Sequence, residues 1–124
     1  MSRIRFLLDE DTPHAIRDQL LRREPRLMVL AVGEAGAPAL GTSDVEILKW
    51  IGQKEYILVS RNRRTIPHHL NDCLAAGGHV PGILLLRRGY ALGAAIQDLL
   101  LIWAAGRPEE FQDRIEYLPW PPPR

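Results

Sequence analysis

The chain has 124 residues, enough for one ordinary domain built on a single core. Its 46% hydrophobic and 25% charged residues exclude an intrinsically disordered chain. A net charge of +1 excludes a global field that would draw in a polyanion, so any nucleic-acid partner must be met by a local basic patch.

Ile4 to Leu8 is an apolar run that reads as a buried strand, and it ends in Asp9, Glu10 and Asp11. Carboxylates rarely abut such a run unless something pairs with them. Three acids at that point suggest a divalent-cation site, Mg²⁺ or Mn²⁺, because hard cations take oxygen ligands. The alternative is a solvated loop whose acids favour the next helix N-terminus. Thr12 and Pro13 predict a helix start, with proline at the first helical position where its missing N–H is harmless. Ile16 and Leu20 give this helix one apolar face, and Pro25 marks its end.

Leu27 to Val32 is the second strand-like run, and Gly33 to Gly41 is a loop rich in Gly, Ala and Pro. Ser43-Asp44-Val45-Glu46 fits a capping box that opens a second helix, with Ile47, Leu48 and Ile51 turned inward. Tyr56 to Ser60 is a third strand. The polar run Arg61-Asn62-Arg63-Arg64-Thr65 leads into a third helix with Pro67 near its start and Leu70, Cys73 and Leu74 on one face. Cys73 is the single cysteine, which excludes a disulfide framework and a cysteine-based zinc site; it is expected to act as a small buried hydrophobe. Gly77-Gly78 stops the helix. Gly82 to Leu86 is almost wholly apolar and suits the middle of a parallel sheet.

A fourth helix, about Tyr90 to Ala105, carries Leu92, Ile96, Leu99 and Trp103 at helical spacing, and also Leu100, Leu101 and Ile102. It is apolar nearly all round, so it is buried on more than one side or faces a partner. Leu100, Leu101 and Trp103 are expected to be left over, which implies a homodimer through residues 90–105. The rival expectation is that the tail, with Trp120, folds back over this helix. The segment is shorter than the roughly 20 residues needed to span a bilayer, and Gln97 and Asp98 interrupt it. The N-terminus has no signal-peptide hydrophobic region, so the cytoplasm is the expected location. Arg114 to Leu118 is a final edge strand.

Alternating strands and helices with short connections imply right-handed crossovers and a parallel sheet. The expected architecture is a three-layer α/β/α domain of four or five mainly parallel strands over residues 1–118, followed by a proline-rich tail over 119–124. Three strand-to-helix junctions then converge at the carboxyl edge of the sheet. They bring Asp9, Glu10 and Asp11; Asp44 and Glu46; and Ser60, Arg61, Asn62, Arg63 and Arg64. Arg87 and Arg88 follow the fourth strand and open on the same edge. Carboxylates to hold a cation and cations to hold a phosphate are what metal-dependent phosphodiester cleavage needs. Each group also has a plainer role. Asp44 and Glu46 suit a first helical turn, and the arginines suit a solvated loop. His14 is taken as a surface residue. His68 and His69 diverge on their helix and cannot chelate one ion together, although His68 is left free to contact RNA or phosphate. There is no dinucleotide fingerprint, P-loop or nucleophile elbow.

The stretches FLLDED, GTSDVEIL and ILVSRN, in this order, resemble the PIN-like family of small prokaryotic proteins. Members of that family typically read LLDEN near the N-terminus, G-x-x-D-x-x-I-L at the second helix and I-L-V-T-R-D at the third strand. The resemblance covers about residues 3–88. It implies a trimmed PIN domain, and hence a Mg²⁺-dependent ribonuclease of a kind that often serves as the toxin of a toxin–antitoxin pair. Asp9 falls on the first family acid and Asp44 on the second. The third family acid falls on Asn62, and a further aspartate falls on Arg64. Asp9 and Asp44 would then hold a weakly bound Mg²⁺ or Mn²⁺, with Asn62 and Glu10 or Asp11 assisting. Arg61, Arg63, Arg64, His68, Arg87 and Arg88 would hold RNA. The alternative is a catalytically inactive PIN-like module that binds RNA or a protein, such as an antitoxin.

Overall fold

The computed structural model describes residues 4–120. Ten elements follow one another: β1 (Phe6–Leu8), α1 (His14–Arg23), β2 (Val29–Ala31), α2 (Asp44–Lys54), β3 (Ile57–Ser60), α3 (Ile66–Ala75), β4 (Ile83–Leu86), α4 (Leu92–Ala105), a 3₁₀ turn (Pro108–Glu110) and β5 (Ile115–Leu118). The strands form one five-stranded sheet in the order β2-β1-β3-β4-β5, and every pairing is parallel. The register sets Leu8 beside Ala31 and Val59, Ser60 beside Leu85, and Leu86 beside Leu118. The carboxyl ends of all five strands therefore lie along one edge.

Alternation along each strand divides the core in two. Phe6, Leu8, Ile57, Val59, Leu84 and Leu86 join Ile16 and Leu20 of α1 and Ile96, Leu99 and Ile102 of α4. Leu7, Leu58, Ile83 and Leu85 face the other way, against Ile47, Leu48 and Ile51 of α2 and Ile66 and Leu70 of α3. The result is a three-layer α/β/α fold. Strands apolar on both faces, as read in Gly82 to Leu86, are the signature of a sheet covered by helices on both sides.

Local chemistry sets the helix ends. Ser43 Oγ accepts the Glu46 backbone N–H at 3.3 Å and caps α2. Only this half of the expected capping box forms, because the Glu46 carboxylate turns to Lys49. Pro13 is the cap residue before α1 rather than its first helical residue. At the end of α3, Gly77 adopts φ +84°, its N–H bonds Leu74 O, and the Gly78 N–H bonds Cys73 O. This pair of bonds is a Schellman stop, and the left-handed residue it requires is the reason for glycine there.

α4 begins at Leu92, two residues later than the sequence pattern predicts. Leu100 and Trp103, expected to be left over, instead pack against the α1 side of the core, and the Arg26 guanidinium lies 5.9 Å from the Trp103 ring. Leu101 is 59% exposed. Trp120 is 45% exposed and donates its indole N–H to Glu116 on β5, so its polar end is held beside the edge strand. The rest of the expected tail, residues 121–124, lies outside the described residues. Cys73 is half-buried against the α2–α3 side of the core. No helix among the described residues is long and apolar enough to cross a membrane.

Candidate functional site

The strand order reverses direction between β1 and β3, since β1 continues to β2 on one side and β3 leads to β4 and β5 on the other. In open α/β sheets the crevice for a ligand opens at the carboxyl ends of the strands flanking such a switch point. Asp9 directly follows β1, and Ser60 ends β3. Both are buried, Asp9 with only 7% of its surface exposed.

A hydrogen-bonded chain runs from Asp9 across this crevice. Ser60 Oγ donates to Asp9 Oδ2 at 2.8 Å, and the Glu10 backbone N–H donates to Asp9 Oδ1 at 2.9 Å. Ser60 Oγ also accepts the Asn62 backbone N–H at 3.0 Å. The Asn62 side chain in turn reaches Asp44 at the start of α2, with Nδ2 3.2 Å from Asp44 Oδ2. Thr65 completes the cluster: its Oγ1 donates to Asp44 Oδ2 at 3.1 Å and sits 2.6 Å from Asn62 Nδ2. The Thr65 backbone N–H donates to Asn62 Oδ1 at 3.3 Å, which fixes the direction of the amide. His69 approaches the same carboxylate, with Nε2 3.7 Å from Asp44 Oδ2.

Asp9, Asp44 and Asn62 are thus brought together from three elements. Burial pushes the Asp9 carboxyl up from its ordinary range, and the charges of Asp11 and Asp44 push the same way against the hydrogen bonds from Ser60 and Glu10. The other two acids of the first junction turn to backbone. Asp11 Oδ1 accepts the Arg61 N–H at 3.2 Å, and Glu10 Oε1 accepts the Gly41 N–H at 2.9 Å. They brace neighbouring loops and do not join Asp9 and Asp44. Glu46 is exposed and pairs with Lys49.

The basic residues split into two groups. Arg61, Arg64, Arg87 and Arg88 are exposed, and Arg63 is half-buried. Arg63 donates to Leu86 O at 2.9 Å, and Arg87 donates to Pro119 O at 3.1 Å with its guanidinium 5.3 Å from the Tyr117 ring. These two tie down the ends of β4 and β5. His68 is exposed and pairs with Asp72, 3.4 Å away.

Sequence reasoning placed Ser60 at the third junction without giving it a role, set His69 aside as a ligand shared with His68, and assigned nothing to Thr65. Ser60 carries a usable signal, being a hydroxyl at the end of an apolar strand beside a buried acid. His69 becomes visible only once α3 is packed beside α2.

A Mg²⁺ or Mn²⁺ site needs several oxygens turned to one point. Here Asn62 Oδ1 is held by a backbone N–H, and its nitrogen faces Asp44. Among the described residues, no three His, Cys, Asp or Glu side chains are gathered to ligate one ion. As arranged, Asn62 turns its amide nitrogen, not its oxygen, toward Asp44.

No family model, curated protein or solved structure matches the chain.

Proposed function

We propose that the chain is a PIN-like domain that binds single-stranded RNA at the carboxyl edge of its sheet without cutting it. The orientation of Asn62 carries this reading. Where the family motif has an acid, Asn62 donates an N–H to Asp44, so the carboxylate oxygen is occupied by protein donors instead of a cation. The exposed Arg61, Arg64 and Arg88 supply phosphate contacts around the cluster.

Binding of a short single-stranded RNA, followed by anisotropy across a salt series, tests this. Three phosphate contacts give a slope of log K against log salt of about −2. The RNA stays intact with Mg²⁺ or Mn²⁺ present. Absence of binding even at low salt rejects the proposal.

One observation favours a second reading, a metal-dependent ribonuclease with an antitoxin partner. Asp9 is crowded by the charges of Asp11 and Asp44, a condition that a cation relieves. RNA cleavage that depends on Mg²⁺ and disappears in both Asp9→Asn and Asp44→Asn would establish it.

A further inference from the structure

β2 and β5 form the two edges of the sheet, and the chain treats them differently. On β2, Met28 O accepts the Phe6 N–H and the Val32 N–H donates to Leu8 O, so Val29 and Ala31 turn their backbone groups outward. Ala31 is closed locally: its N–H donates to Glu34 Oε1 at 2.5 Å, and its carbonyl accepts the Glu34 N–H at 3.0 Å. On β5, Arg114 O accepts the Ile83 N–H and Leu118 O accepts the Arg87 N–H. Ile115 and Tyr117 therefore turn N–H and C=O away from β4, and among the described residues nothing pairs with them. Such an edge is a template for another strand.

What lies around this edge decides which strand fits. Before it, the Asp113 N–H is already taken by Val80 O at 2.9 Å. After it, Pro119 has no N–H, and its carbonyl accepts from Arg87. A second copy of the chain can use all the open groups in one antiparallel register, with Ile115 of each chain opposite Tyr117 of the other. Both side chains are half-buried on the α2–α3 side, and a β-branched residue beside an aromatic one is a favourable cross-strand pair. The same register sets the two copies of Glu116 directly opposite one another, in the closer, non-hydrogen-bonded position. Like charges there oppose pairing. The hydrogen-bond partner of Glu116, the Trp120 indole at 3.2 Å, is neutral and leaves the charge in place. Sliding the register to part the two carboxylates brings Asp113 or Pro119 into the ladder, where a donor is missing. We propose that the outer edge of β5 is a pairing surface for a second copy of this chain, and that Glu116 holds it shut.

Sedimentation of the full chain and two variants tests this. Wild type is expected to stay monomeric from micromolar to submillimolar concentration. Glu116→Gln removes the charge and keeps an oxygen for Trp120; it should self-associate about tenfold more tightly than wild type, or better. Glu116→Lys alone should stay monomeric, because two ammonium groups then meet. Mixed with wild type, it should form a one-to-one heterodimer that weakens as salt rises. In both dimers the amides of Ile115 and Tyr117 should gain protection from hydrogen exchange. Glu116→Gln is isosteric, so it tests the proposal even if the lysine variant fails to fold. A Glu116→Gln chain that stays monomeric, or that dimerises without protecting those two amides, overturns the proposal. A mixture of folded partners with no heterodimer overturns it too. So does a wild type that already pairs through β5, since Glu116 then guards nothing.

Discussion

Asp44 is served by two hydrogen-bond donors, Asn62 and Thr65, which meet on a single oxygen, and His69 Nε2 lies 3.7 Å from that oxygen. Replacing Asn62 by Asp exchanges one of these donors for a second carboxylate. Asn62→Asp should lower the stability of the metal-free protein by about 2 kcal/mol, because a hydrogen bond is lost and like charges meet. Added Mn²⁺ should recover that loss in the variant and leave the wild type unchanged, which thermal melts with and without the ion can read. Asp9 behaves in the opposite sense. Its folded-state carboxyl titrates above its ordinary value, so the folded chain holds the proton more tightly than the unfolded one. Asp9 therefore detracts from stability at neutral pH, and that penalty disappears as pH falls through the raised value toward 3.8. Asp9→Asn should be at least as stable as wild type near neutrality, by up to about 1 kcal/mol, and should lose that advantage near pH 4. Melting temperature against pH for both proteins checks this. A variant less stable at every pH would mean that the Ser60 and Glu10 hydrogen bonds outweigh the charge.

Asp9, Asp44 and Ser60 of the candidate site stand at the ends of regular elements. Ser43 caps α2 one residue before Asp44, so the cap also sets where that carboxylate stands. Ser43→Ala should lower stability by about 1 kcal/mol, measurable by urea denaturation. The apolar runs located every strand, yet the hydrogen-bonded ladders are shorter than the runs. Ile4 and Leu27 are buried in the core but lie before β1 and β2, because hydrophobic burial continues past the point where strand pairing begins. Alternating elements made the three-layer architecture legible, and the junction residues Asp9, Asp44 and Asn62 followed from it. What stayed hidden depends on tertiary geometry. A helix apolar all round, such as α4, does not reveal which of its stripes a neighbour covers. The approach of His69 to Asp44 likewise depends on how α3 lies against α2.

At the scale of the whole molecule, α4 offers less to a partner than its composition suggests. Leu100 and Trp103 are taken up by the core on the α1 side, so Leu101 is the large side chain of the expected trio that stands open. Leu92 is also open on α4, and two scattered exposed leucines are ordinary for a monomer surface. We therefore expect a monomer at micromolar concentration in analytical ultracentrifugation. Dimerisation that is abolished by Leu101→Asp would restore the interface through residues 90–105.

The interior position of β1 bears on how the chain is born. Among the described strands β1 leaves the ribosome first, yet one of its two neighbours is β3, and the hydroxyl that meets Asp9 comes 51 residues later in the sequence. A nascent chain halted before β3 carries a strand with an open edge, the feature that invites wrong pairing with other chains. The same chain holds a carboxylate still lacking its hydroxyl. Docking of β3 closes both, because the strand that pairs with β1 also carries the Ser60 hydroxyl.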